Sequence, residues 1–532
     1  MPQRKRLVVF VCIGIPLLAL ALLLSLASGS PDASVSGVVV SASGPIAGAH
    51  VRVRATENLT YTAADGSFSL LGLVEGEEVE VAAWADGYYI ANAHITPTIA
   101  GITLTLRPYH TVDHTDYEWS SPSTCDSCHP MLTPQWTGNA HGNAVSNPRF
   151  FSLYNGTDIT GTVVISPGYQ LDFPGTSGNC ANCHAPGAAA NAPFTTDMND
   201  SRDNVAAGIH CDFCHKVGGV YIDPASGLPY ANAPGVLSLR LLRPPSGEQI
   251  FFGPYDDIKD PDTYLPEMRQ SVYCAPCHQF SFWGTPIYQS FREWQESPYP
   301  AMGVECQTCH QPPNGDHYFA LPDAGGLWHP AENIPSHNDL GLKDTAFITG
   351  TVAMSVTTRT VGNRVTVTVT LTNTGAGHHV PTDHPGRHLI LTISAVDGSS
   401  LPLPQTGGDT VPDWGGAQAG MPGKVFAKVL EDALTREYPV VSYWKQSFIL
   451  SDNRIPALSS DISVYQFTAP LGGGEITISA VLLFRRNLQA ELDTRGWDSP
   501  DILMQEARIE GHVQAYFQTF LPTLTAGSAS SP

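Results

Sequence analysis

Cys-x-x-Cys-His occurs five times between Cys125 and His310, as CDSCH, CANCH, CDFCH, CAPCH and CQTCH. Two thiols at that spacing can each add across one vinyl group of a haem, and the His that follows is placed to ligate the iron from one face. Cys125 and Cys128, Cys180 and Cys183, Cys211 and Cys214, Cys274 and Cys277, and Cys306 and Cys309 are all used in this way, so that of the eleven cysteines only Cys12 stands outside. The proximal iron ligands are then His129, His184, His215, His278 and His310. Zinc knuckles and redox disulfides also use Cys-x-x-Cys, but neither demands a His in the next position. With 19 His in 532 residues, five such coincidences have a chance on the order of one in ten million. The reading is five covalently attached haem c groups. A chain organised this way folds around its cofactors, because each macrocycle supplies apolar core that the polypeptide need not.

The composition agrees. Charged residues make up only 14% of the chain, while Gly (49) and Pro (43) are abundant, which suggests turns, short strands and loops. The net charge of -22 argues against nucleic acid and against anionic lipid surfaces as partners. It is compatible with basic redox partner proteins or with an extracellular electron acceptor.

Residues 1–30 read as a signal peptide or membrane anchor: Arg4, Lys5 and Arg6 precede an apolar run over 7–26 that is long enough to span a bilayer. Either form puts the rest of the chain outside the cytoplasm, periplasmic or at the cell surface. Residues 35–108 alternate apolar and polar residues in VSGVVV, AHVRVRA, GSFSLLGL and EVEVAAW, the pattern of a small β-sandwich. Residues 109–345 carry the motifs and show no long amphipathic pattern, so a loop-rich multihaem domain with short helices is expected. The second and third motifs lie close in sequence, as do the fourth and fifth. That spacing suggests a lone first haem followed by a duplicated two-haem unit. Residues 346–490 return to strands in RVTVTVTLTNT, HLILTISAVDG and EITISAVLLFRR, predicting a second β-sandwich, and 491–532 read as a tail. The expected whole is multidomain.

What fills the second axial position of each iron decides between carrying electrons and doing chemistry. His141, in WTGNAH, follows the first motif by a short loop. His210 directly precedes Cys211, and its ring should project toward a neighbouring haem; Glu305 holds the matching place in the fifth motif. His317 and His337 follow the last motif. In NTGAGHHVPTDHPGR, a Gly-rich turn between strands, His378 is a further distal candidate; a separate zinc or copper site built from His378, His384 and His388 is the rival there. Lys216 follows His215 and does not replace a motif His.

Two resemblances rest on these residues. Gly48, Ala49, Asp65, Gly66, Gly87 and Tyr88, in their order along 35–108, resemble the carboxypeptidase regulatory-like domain, which implies a sandwich used for spacing, adhesion or packing rather than chemistry. The five CxxCH motifs, the W-x4-H after the first, GIHCDFCH and the GAGHxxPT turn resemble, over about residues 115 to 490, the multihaem cytochromes related to the tetrahaem cytochrome of the hydroxylamine pathway. That likeness implies electron transfer through closely packed bis-His haems and points to His141, His210 and His378 as distal ligands. The expected function is an extracytoplasmic pentahaem electron carrier, anchored or assembled as a homopolymer. The alternative is a pentahaem reductase of nitrite, hydroxylamine or a similar small oxyanion, with its open iron at the fourth or fifth motif.

Overall fold

The computed structural model describes residues 33–97 and 100–515. Residues 7–26, Cys12 and the end of the chain from 516 lie outside the described residues, and with them the anchor or signal reading. Among the described residues no helix is long and apolar enough to cross a membrane.

The chain divides into two compact units. The first runs to Tyr109 and takes back one later segment, Asp256–Thr263. It holds two four-stranded sheets: Gly44–Pro45, Ala33–Ser41 and Ser67–Leu73 with Ala100–Thr105 added to the central strand, and Leu59–Tyr61, His50–Val53, Val79–Trp84 and Ala91–Ile95 in that order. Strict alternation sends Val35, Val39, Val51, Phe68, Leu70 and Val81 into one core. The returning segment runs into the short strand Asp262–Tyr264. Its carboxylates hold it in place: Asp256 receives Arg52 Nε at 2.8 Å and lies 2.7 Å from His50 Nδ1, and Asp260 receives Arg107 Nη2 at 2.8 Å.

The second unit contains the motif region and the C-terminal sandwich. In the motif region the longest helix is Pro148–Asn155, started by Asn147, whose side chain accepts from the N–H groups of Arg149 and Phe150, and stopped by left-handed Gly156. The other helices are a turn or two. The reason is local: Gly, Pro and Asn recur too often for periodic apolar faces to form.

The C-terminal sandwich is built by alternation. In Arg364–Asn373 every second residue is buried, and Val365, Val367, Val369 and Leu371 are almost completely excluded from water. Each such burial is worth about 1.5–3 kcal/mol against exposure. One sheet runs Val352–Val361, Arg364–Asn373, Ser460–Thr468, Gln405–Gly407; the other runs Ser447–Asp452, Gly423–Asp432, His388–Asp397, Gly474–Arg485, Ile502–Val513. The last strand corrects the expected boundary. Residues 491–515 are no tail: Gln489–Arg495 is helical, and Ile502–Val513 pairs along Gly474–Arg485 with Ile502, Met504 and Val513 in the core. Arg508, Glu506 and Glu510 on the open face of that strand disguise its apolar side.

Candidate haem-binding site

Each motif closes into a single helical turn. The N–H of His129, His184 and His215 donates to the carbonyl of the first motif cysteine at 2.9 Å, and that of His278 at 3.1 Å. A turn of this kind carries residues three and four apart on one face, so both thiols and the imidazole address the same macrocycle.

The imidazoles are oriented as iron ligands are. A ligating His usually donates its second ring N–H to a carbonyl or carboxylate, leaving the other nitrogen free for the metal. His129 Nδ1 lies 2.6 Å from the Phe319 carbonyl, His215 Nδ1 2.7 Å from Phe252, and His310 Nδ1 2.6 Å from Leu340. His278 Nδ1 stands 3.9 Å from an Asp383 carboxylate oxygen. The residues present fit haem c at the motifs.

Contacts between thiols show which motifs are neighbours. Cys125 lies against Cys211, Cys183 against Cys277, and Cys274 against Cys306. In addition, the Tyr273 hydroxyl, just before the fourth motif, donates to the Cys214 carbonyl at 2.8 Å. The first motif is therefore not alone; it sits against the third, and the second against the fourth. Only the pairing of fourth with fifth follows the sequence spacing, because the length of a connecting loop does not set the distance between its ends. The fourth motif touches the most others. Behind the second, Gly235 has φ +58°, and a Cβ there would meet the Asn182 carbonyl at 2.1 Å and the Cys183 sulfur at 2.8 Å, so only glycine fits.

Two motif histidines are faced by a second imidazole. His141 lies opposite His278 with ring centroids 6.4 Å apart and planes at 66°. His378 lies opposite His310 at 6.3 Å and 20°. About 2 Å from metal to nitrogen and about 1 Å on to the ring centre put two imidazoles on one iron about 6 Å apart, which both pairs match. The second nitrogens again point at acceptors: His141 Nδ1 to Asp339 Oδ2 at 2.9 Å, and His378 Nδ1 to the His379 carbonyl at 2.9 Å. The fourth and fifth motifs, where the reductase alternative would place its open iron, are the two whose His meets a facing imidazole.

The other candidates are placed differently. His210 does not face a motif imidazole. Its Nδ1 accepts from the Phe213 N–H at 3.3 Å, capping the helix Cys211–Cys214, and its ring meets Trp119 and Phe213. Its Nε2 is buried without a hydrogen-bond partner. Glu305 caps the fifth motif in the same way, reinforced by Ser271, so the residue before the motif serves the turn in both. His317 stacks on Trp328 at 5.0 Å and directs Nδ1 to the His329 carbonyl at 2.8 Å. His337 has a buried Nδ1 without a partner and lies within electrostatic range of both His129 and His215. His184 stacks on Phe150 at 4.4 Å.

The rival metal site is not formed. Among the described residues no three His, Cys, Asp or Glu side chains converge on a metal position. His384 Nδ1 accepts from the Gly386 N–H, and burial with Arg387 close by pushes its pKa down to about 3. His388 is enclosed in its strand with Nδ1 toward the Gly386 carbonyl, and burial pushes it down to about 4. Lys216 is fully buried and ion-paired with Asp212 at 2.5 Å.

Two functional residues escaped the sequence reading. Asp339 accepts from Asn139 Nδ2, His141 Nδ1 and Gln311 Nε2, and Asp383 accepts from the N–H groups of Gln289 and Ser290. Both sit in the left-handed region, at φ +44° and +62°. Acidic residues beside His in SHND and TDHPG were the available signal.

Residues 124–216 match the family model of cytochrome c554 and c-prime. Residues 34–107 match that of the carboxypeptidase regulatory-like domain. The cytochrome match spans the first three motifs, a shorter stretch than the resemblance read from about 115 to 490. Among solved structures, a penta-heme cytochrome c552 from Thermochromatium tepidum is similar over 74% of this chain and 98% of its own, at 20% identity and a TM-score of 0.54, which shows a shared fold. Northeast Structural Genomics Consortium target SoR45 covers 34% of the chain at 9% identity and a TM-score of 0.14. No curated protein matches. The partial family match and the shared fold agree with the motifs in supporting a multihaem cytochrome with haem c.

Proposed function

We propose that this protein is an extracytoplasmic pentahaem c-type cytochrome that passes electrons along closely packed haems toward a redox partner protein or an extracellular acceptor. The observation that carries the reading is the pair of facing imidazoles, His141 with His278 and His378 with His310, at the separation an iron between them requires. An iron with two imidazoles has no position left for substrate and can only exchange electrons. The thiol contacts support short paths between motifs. In this reading His129, His184 and His215 hold the remaining three irons from one side; His337, buried near His129 and His215, with His317 and His210, supplies candidates for the other. Haem attachment belongs outside the cytoplasm, and the apolar run 7–26 would export or anchor the chain.

The test is intact mass and redox behaviour of protein matured with haem-attachment machinery. Five haem masses, rapid reduction by a soluble mediator and no turnover of nitrite or hydroxylamine are expected. Fewer than five haems would contradict the pentahaem reading, and sustained turnover of nitrite or hydroxylamine would contradict the carrier.

A further inference from the structure

The two facing pairs differ in what stands behind them. Both rings at the fourth motif are backed by carboxylates: Asp339 Oδ2 lies 2.9 Å from His141 Nδ1, and Asp383 Oδ2 lies 3.9 Å from His278 Nδ1. Both rings at the fifth are backed by neutral carbonyls, Leu340 for His310 and His379 for His378. Consecutive residues divide the work, since Asp339 presents its carboxylate to one pair and Leu340 its carbonyl to the other.

Neither carboxylate is incidental. Asp383 is buried and Asp339 largely so, each accepts further hydrogen bonds, and each is held at positive φ, where Asp is tolerated but most side chains are strained. Both are placed as ionised carboxylates are, accepting N–H groups on more than one side: Asp339 from Asn139 and Gln311, and Asp383 from the backbone of Gln289 and Ser290.

Asp339 accepts the second ring N–H of His141, which makes that imidazole more basic and a stronger donor to the oxidised metal, while Asp383, at 3.9 Å from His278, acts through its charge. A fixed negative charge close by favours the oxidised state in the same direction. Resting on the bis-imidazole reading above, we infer that Asp339 and Asp383 are positioning residues that set the fourth-motif haem at a lower reduction potential than the fifth. Because the fourth motif also touches the second, third and fifth, it is the junction of the array, and electrons leave it downhill toward the fifth.

The test is an EPR-monitored redox titration of the fully loaded protein and of Asp383→Asn and Asp339→Asn, which keep an acceptor and remove the charge. The ring planes separate the two haems spectroscopically: crossed planes at the fourth motif give a highly anisotropic low-spin signal, and near-parallel planes at the fifth give an ordinary rhombic one. The anisotropic component should titrate at the lower potential, and Asp383→Asn should raise it while leaving the rhombic one in place. Asp339→Asn should raise the anisotropic component too, and the rhombic one by less, because Gln311 links Asp339 to the fifth motif. Unmoved potentials with both low-spin signals intact would overturn the inference alone. Absence of the anisotropic signal from the unaltered protein would overturn the ligation it rests on.

Discussion

The C-terminal sandwich and the motif region belong to one compact unit, yet they are held together by opposite means. In the sandwich, alternation along Arg364–Asn373 and Gly474–Arg485 sends one face of each strand into a core of Val367, Val369, Leu389, Phe426 and Leu482. The motif region has a smaller cluster around Phe151, Tyr154, Ala185 and Phe213, made of side chains from many one-turn helices. One region is specified by periodicity in its own chain. The other is specified by where the motif thiols and imidazoles must meet their macrocycles.

The largest effect that would break this comparison comes from withholding the cofactor. Protein expressed without haem-attachment machinery should keep hydrogen-exchange protection across the strands between 352 and 513 and lose it across most of 110–345. Equal loss in both regions would show that the sandwich, too, depends on haem.

Next comes the joint between them. Glu293, on the helix Ser290–Gln295, accepts from Arg454 Nη1 at 2.7 Å, from Thr382 Oγ1 at 2.6 Å and from the His379 N–H at 3.2 Å, so one buried carboxylate anchors the turn that carries His378. Arg454→Met leaves that carboxylate uncompensated and should cost about 3–5 kcal/mol in denaturant unfolding, with loss of the rhombic low-spin signal. The double variant Glu293→Gln with Arg454→Met should recover part of the stability.

A smaller effect separates burial in the sandwich from haem chemistry. His388 is held neutral in the fold with its pKa at about 4, against about 6.5 in an unfolded chain. As pH falls from about 6.5 to 4 the unfolded state takes up the proton first, so stability is lost across that window, by up to about 3 kcal/mol. His388→Leu should flatten the melting temperature against pH there, with no change in haem spectra.

Legibility followed the same division. The two sandwiches were readable because β-branched residues alternate over whole strands; among the strands overlooked, Ile502–Val513 is an edge whose exposed Arg and Glu break the apolar rhythm. The motif residues were readable because covalent attachment demands a fixed local spacing. Among distal candidates, His141 and His378 meet partner rings, since the short loop after the first motif and the Gly-rich turn each bring an imidazole opposite another motif's His. His210, read from adjacency and from the resemblance, caps the helix Cys211–Cys214 through Nδ1 and keeps its buried Nε2 open. The pairing of first with third and second with fourth motif, and the carboxylates Asp339 and Asp383, depend on long-range packing that no local spacing records.

The most direct test of the central claim, that the fourth and fifth motifs each hold an iron between two imidazoles, is the EPR spectrum of the fully ferric, five-haem protein, compared with His141→Ala and His378→Ala. The planes at 66° and 20° predict one highly anisotropic and one rhombic low-spin component. His141→Ala should convert only the first to high spin, and His378→Ala only the second. Retention of both low-spin components in these variants would contradict the account.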